Sequence, residues 1–174
     1  MIRQELYIEP YRWHVVVYYA VDGFFADQIV TELRGIKADE EFVGKAYKNM
    51  TDGNLDTGFT YSNLVYGESV MVINGTSSQA QFDNSLNHER QHLIMHIAQK
   101  YNMDVYNEEI CYLAGGIAMQ MHPVTKNLVS ECGCHSHDVA AMIKQAFRRI
   151  GGKFYGNHFE NNAPVNINIK QQKR

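Results

Sequence analysis

The sequence has no long hydrophobic run, few cysteines and prolines, and no excess of basic residues. The longest uninterrupted apolar stretch is VVVYYAV, residues 15–21, whereas a membrane-spanning helix needs about 20 residues. The N-terminal residues also lack the apolar core that is typical of a secretory signal. Three cysteines in no paired framework, Cys111, Cys132 and Cys134, favour a reducing compartment. We therefore expect a cytoplasmic protein without a membrane partner.

The charge and length indicate an ordinary globular protein. Sixteen Lys and Arg residues against nineteen Asp and Glu residues give a net charge of −3, so the composition offers no basic surface for nucleic acid. A chain of 174 residues is long enough for one domain with a sizeable core. We predict a single domain over residues 1–160, followed by a polar tail at 161–174.

Strand patterns come first in the chain and helical patterns follow, which predicts an α+β fold. The β-branched and aromatic segment at residues 13–21 predicts a buried strand. Two helices follow, the second capped by Asp39. Residues 59–66 and 69–74 then predict a hairpin. The expected result is an N-terminal mixed or antiparallel sheet with helices.

Three further helices are predicted after the hairpin. The first is capped by Asp83 or Ser85 and ends near Tyr101. The second begins after Asn107 and ends near His122, because Pro123 disfavours a helical conformation of the residue before it. Asp138 caps the third.

His88, Glu89 and His92 form an H-E-x-x-H motif within the first of these helices. Residues four apart lie about 40° apart around a helix and one turn apart along it, so both imidazoles can reach one ion. Glu89 lies about 100° from His88, which lets its carboxylate reach a water on that ion. Two imidazoles and a third ligand are a typical zinc set, and zinc lowers the pKa of a bound water to about 7. The motif predicts metal-assisted hydrolysis.

The segments NSLNHERQHL from Asn84 and NEEICYLAG from Asn107 resemble the two active-site helices of gluzincin-type zinc metallopeptidases. The resemblance is closest to small single-domain zinc peptidases of bacteria and their phages, and it covers about residues 59–122. It implies a zincin-like fold, one Zn²⁺ ion, His88 and His92 as ligands, and Glu89 as the catalytic base. It also implies a glutamate ligand from the second helix and a peptide or protein substrate.

The third zinc ligand is predicted at the start of the second helix, where Glu108 and Glu109 follow Asn107. An apolar stripe on this helix leaves Glu108 on the opposite side and Glu109 to one side. The family pattern, Asn-Glu at the start of the ligand helix, also selects Glu108. Glu109 stays open as the alternative, because a one-residue error in helix phase exchanges the two. Carboxylates are in any case favoured beside the positive end of a helix dipole.

The resemblance also implies that a strand upstream of the metal helix lines the substrate cleft. We expect this strand to pair with an extended peptide through the backbone of Ser69, Val70, Met71, Val72 and Ile73. A donor that polarises the substrate carbonyl is expected as well. Its candidates are Tyr112, His122 and Tyr61.

Other metal sites fit the sequence less well. A metzincin needs a third histidine at the position of Ala98, and His96 is instead expected to be buried or bonded to a partner. A peptide deformylase needs a cysteine upstream of the motif, and all three cysteines lie downstream. A second metal could be held by Cys132, Cys134, His135 and His137, but their spacing matches no common zinc pattern and a loop is favoured.

The main alternative function is a catalytically silent module. A gluzincin-like domain, with or without metal, could serve only in interaction or structure. The family commonly has Asp or Asn four residues after the ligand glutamate, where this chain has Tyr112 or Leu113. Glu89 favours the enzyme, because a purely structural metal site has no use for a general base.

Overall fold

The computed structural model describes residues 1–55, 58–126, 128, 153–155 and 158–160. The possible second metal cluster at residues 132–137, the helix predicted from Asp138 and the tail at 161–174 lie outside the described residues. The described strands and helices are, in order, β1 (Ile2–Ile8), β2 (Trp13–Val21), α1 (Ala26–Gly35), α2 (Glu40–Thr51), β3 (Gly58–Asn63), β4 (Glu68–Asn74), α3 (Gln79–Tyr101), α4 (Glu108–Thr125), β5 (Lys153–Tyr155) and β6 (His158–Glu160).

The main sheet has four strands in the order β1-β2-β4-β3. β2 is antiparallel to β1 and parallel to β4, and β3 returns antiparallel to β4 as the predicted hairpin. β5 and β6 form a separate antiparallel pair. The fold is α+β with a mixed sheet, as predicted.

Helices cover both faces of the main sheet, because its central strands alternate buried side chains between two cores. One core joins α1 and α2 to the sheet face that contains Val16, Val70 and Val72. The other joins α3 and α4 to the face that contains Val17 and Met71. None of the helices in the described part of the chain has the length and apolar character needed to span a membrane.

Strand β1 was not predicted from the sequence, although its inward side chains alternate as a strand requires. The inward position in the middle of the strand is Gln4, which interrupts the apolar pattern. Gln4 is nonetheless buried, since its side chain accepts a hydrogen bond from the Tyr19 hydroxyl at 2.7 Å and donates one to the Gln120 carbonyl at 2.8 Å. The amide thus links β1, β2 and α4.

Two helix boundaries differ from the prediction. α3 begins at Gln79 after the N-cap Ser78, earlier than the predicted caps Asp83 and Ser85, because Ser85 is already buried within the helix. α4 begins after Asn107 as predicted but continues through Pro123 to Thr125. Burial of Val124 in the core that α4 shares with α3 stabilises this last turn.

Candidate metal centre

Helix α3 presents the two motif histidines on its exposed side. The opposite side of the helix is fixed against the sheet by buried residues that include Leu86, Leu93 and Ile97. His88 and His92 lie on a different face and are both exposed. The same burial pattern therefore sets the direction of both imidazoles.

The imidazoles of His88 and His92 approach each other through their Nε2 atoms. Their Nε2 atoms lie 3.2 Å apart, and the ring centroids are 4.8 Å apart with nearly perpendicular planes. Two nitrogens bound tetrahedrally to one zinc ion at about 2.0–2.1 Å lie about 3.3–3.4 Å from each other. The pair therefore fits two zinc ligands. The same distance also permits one Nε2–H to donate to the other ring.

The side chain of Glu89 lies on the side of α3 that faces the sheet and not on the exposed side of the helix. Its side chain is 2% exposed, and the Thr60 hydroxyl donates to its Oε2 at 3.0 Å. Thr60 Oγ1 also lies 3.1 Å from the backbone oxygen of Glu89. The carboxylate is thus held at the side of α3 that faces β3, next to the histidine pair in the chain.

His96 is held by a line of hydrogen bonds that begins in the core. The Trp13 indole N–H donates to Ser69 Oγ at 2.8 Å, Ser69 Oγ lies 2.7 Å from Ser62 Oγ, and Ser62 Oγ lies 2.8 Å from His96 Nδ1. Burial lowers the pKa of His96, and the neighbouring His92 lowers it further. His96 is therefore bonded to a partner, as predicted.

The structure does not bring Glu108 or Glu109 to the histidine pair. Both are exposed in the first turn of α4. Glu108 accepts a hydrogen bond from Tyr112 at 3.1 Å, and Glu109 accepts one from Tyr11 at 3.0 Å. Within the described part of the chain, no three His, Cys, Asp or Glu side chains are grouped to hold a metal ion. The third ligand stays a prediction.

The rotation of α4 about its axis, on which the choice of Glu108 over Glu109 was based, is as predicted. Leu113, Ile117 and Met121 are buried, whereas Tyr112 and Met119 on the Glu108 side are 69% and 62% exposed. The side of α4 that carries Glu108 is therefore exposed and does not pack against α3.

The predicted substrate strand was wrong. Residues Ser69, Val70, Met71, Val72 and Ile73 belong to β4, which is central in the sheet and pairs with β2 on one side and β3 on the other. Its backbone groups are already hydrogen-bonded within the sheet, so it cannot add a peptide by strand pairing. The strand beside β4 at the sheet edge is β3.

Tyr61 was also wrong as a candidate donor, because it lies on the other face of the sheet. Its ring contacts that of Phe42 of α2 at 4.7 Å between centroids, and its hydroxyl accepts from the Asp39 N–H at 3.3 Å. His122 is exposed in the last turn of α4. Tyr112 is exposed too, and its hydrogen bond to Glu108 raises the pKa of its hydroxyl.

Thr60 and Ser62 were missed by the sequence analysis, although both contact residues of α3. The available signal was the alternation in FTYSN, where the aromatic residues Phe59 and Tyr61 separate the two hydroxyls. Thr60 stands opposite the fully buried Met71 of β4 and therefore shares its face, toward α3.

No family model, curated protein or solved structure matches this chain.

Proposed function

We propose that this chain is a zinc-dependent peptidase with a zincin-like fold, in which His88 and His92 bind the metal ion and Glu89 is the general base. The observation that carries the proposal is the 3.2 Å separation of the two Nε2 atoms. Such a separation suits two ligands of one tetrahedral ion, and the next residue after His88 is a carboxylate suited to proton transfer.

Each side chain has one task in the proposed reaction. His88 and His92 would hold the ion through Nε2 on the exposed side of α3, where a substrate can approach. A bound zinc ion acts as a Lewis acid that polarises a carbonyl and makes water acidic at neutral pH. The Glu89 carboxylate, which Thr60 holds on the side of α3 that faces β3, would accept the proton of the attacking water at one Oε atom and deliver it to the leaving amine.

We place the substrate peptide along β3 in place of β4. β3 lies at one of the two edges of the sheet that the described residues form, and its Thr60 already contacts Glu89 of the motif. A peptide in extended conformation adds to an exposed strand edge through main-chain hydrogen bonds, which suits a substrate of varied sequence.

The test compares the wild type with Glu89→Gln, and with Glu41→Gln as a control that removes an exposed carboxylate from α2. Zinc content is measured by elemental mass spectrometry and cleavage by a peptide library. We expect equal zinc in all three proteins, cleavage by the wild type and Glu41→Gln, and a loss of about 10²–10⁴-fold in Glu89→Gln. Equal cleavage by Glu89→Gln would contradict the role of Glu89.

The third ligand is tested by the same zinc measurement. Glu108→Ala is expected to lower zinc affinity sharply, whereas Glu109→Ala is not, because the Asn-Glu pattern at the start of α4 selects Glu108. Loss of affinity in Glu109→Ala alone would exchange the two assignments. If neither change matters, the third donor is not one of these glutamates.

A second candidate function is an interaction or structural module without turnover. One observation favours it: the described residues supply only two grouped metal donors. A wild type that binds zinc but cleaves no peptide would support this module and exclude the peptidase.

A further inference from the structure

Thr60 contacts Glu89 in a way that simple strand packing does not require. Its one hydroxyl lies 3.0 Å from the carboxylate oxygen Oε2 and 3.1 Å from the backbone oxygen of the same residue. A threonine hydroxyl has a single hydrogen, so the two acceptors share one donor. The Thr60 hydroxyl therefore connects the Glu89 carboxylate to the Glu89 backbone and to strand β3.

This arrangement restricts a flexible side chain. A glutamate loses considerable rotamer freedom when its carboxylate is fixed, and Glu89 is fixed in a region where its side chain is 2% exposed. Positioning a catalytic group before the substrate binds lowers the barrier of the chemical step, because less freedom is lost during the reaction.

We infer that Thr60 is a positioning residue that holds the Glu89 carboxylate on the side of α3 that faces β3, next in the chain to the proposed metal ligand His88. The inference rests on the proposed function for its catalytic consequence and names a residue outside the H-E-x-x-H motif. The Thr60 hydroxyl acts through Glu89 and not on the metal ion or the reacting bond. Its position on the edge strand ties the base to the strand on which we place the peptide.

The experiment compares Thr60→Val, which keeps the shape and removes the hydroxyl, with Thr60→Ser, which keeps the hydroxyl. Thr31→Val is the matched control, because the Thr31 hydroxyl donates only to a backbone oxygen on α1 at 2.9 Å. One readout is the carboxyl carbon resonance of Glu89 in protein labelled with ¹³C-glutamate, assigned by its loss in Glu89→Gln and recorded at one pH. The other is kcat and KM on a peptide that the wild type cleaves.

We expect Thr60→Val to shift the Glu89 resonance and lower kcat about 10- to 100-fold, with KM and zinc content unchanged. Thr60→Ser is expected to restore both, and Thr31→Val to change neither. An unshifted resonance in folded Thr60→Val, or a Thr60→Ser variant that behaves like Thr60→Val, would overturn the inference. If Thr60→Val does not fold, Thr60→Ala takes its place. If the wild type cleaves no peptide, the proposed function fails while the resonance still decides whether Thr60 positions Glu89.

Discussion

At the scale of single residues, His88 and His92 differ from the other histidines of the described chain because their Nε2 atoms lie 3.2 Å apart. We expect His88→Ala and His92→Ala each to lower zinc affinity more than 100-fold, since loss of a residue that merely supports a ligand already costs about 10- to 100-fold. Isothermal titration with Zn²⁺ measures the effect. His14→Ala on β2 is the control. An equal effect of all three changes would show that zinc binds nonspecifically.

The hydrogen bonds from Trp13 to His96 allow a prediction about stability. Trp13 and Ser69 are 0% and 1% exposed, so Ser69→Ala leaves the buried indole N–H without its acceptor. A buried donor that loses its partner costs about 1–3 kcal/mol, which urea unfolding would detect as a lower midpoint. Ser77→Ala, at an exposed position, is expected to stay within about 0.5 kcal/mol. Equal midpoints for Ser69→Ala and the wild type would contradict the prediction.

At the scale of elements, the caps explain why some helices were predicted well. Asp39 and Asn107 accept hydrogen bonds from the first turns of α2 and α4. Short polar side chains are preferred at the N-cap position, so the sequence itself indicates where these helices begin. Pro123 misled the prediction, because its local cost is offset by the burial of Val124. Local chemistry thus predicted the starts of α2 and α4 and the end of α3 near Tyr101, but not the start of α3 or the end of α4.

The position of β3 at the site depends on Gly58. Its φ is +143°, and a Cβ there would lie 1.9 Å from the Val72 carbonyl oxygen of β4. We therefore expect Gly58→Ala to destabilise the protein by about 1–3 kcal/mol and to reduce cleavage by displacing Thr60. Thermal unfolding and the peptide assay measure the two effects.

Gly44 provides the matched control for this change. It lies in α2, and a Cβ added there would meet no other atom within 4 Å, so Gly44→Ala is expected to stabilise the protein by about 0.5–1 kcal/mol. The same substitution should thus have opposite signs at the two positions. A stabilising Gly58→Ala would show that β3 pairs with β4 less closely than described.

At the scale of the whole molecule, strand order is what the sequence could not predict. The turn between residues 63 and 68 made the β3–β4 hairpin predictable, and the H-E-x-x-H spacing made the histidine pair predictable. Which hairpin strand pairs with β2 depends on contacts distant in sequence. The parallel pairing of β2 with β4 placed β4 in the centre, which excludes it as the predicted cleft strand. The register sets Val16 beside Val70 and Tyr61 opposite Val70, so Tyr61 lies on the face of α1 and α2 and not of α3.

Burial of tyrosine hydroxyls on both faces of the sheet makes the fold sensitive to alkali. Tyr18 donates to Glu32 Oε2 at 2.8 Å on the side of α1, and burial, followed by the Glu32 charge, raises its pKa to about 12. Tyr19 is fully buried on the opposite face, and burial raises the pKa of its hydroxyl. An unfolded tyrosine titrates near pH 10.

The folded protein therefore keeps these protons at pH values where the unfolded chain has lost them. The contribution of Tyr18 to stability is fully present below about pH 10 and is lost as the pH rises through about 12, its folded pKa. We expect the free energy of unfolding, measured in urea at intervals from pH 8 to pH 12, to decrease steadily over the upper part of that range. Tyr18→Phe should make the decrease shallower, because it removes the Tyr18 hydroxyl proton. Tyr47→Phe, at an exposed ring on α2, should leave the slope unchanged. A slope that Tyr18→Phe does not alter would show that the buried hydroxyls are not the source of the alkaline loss.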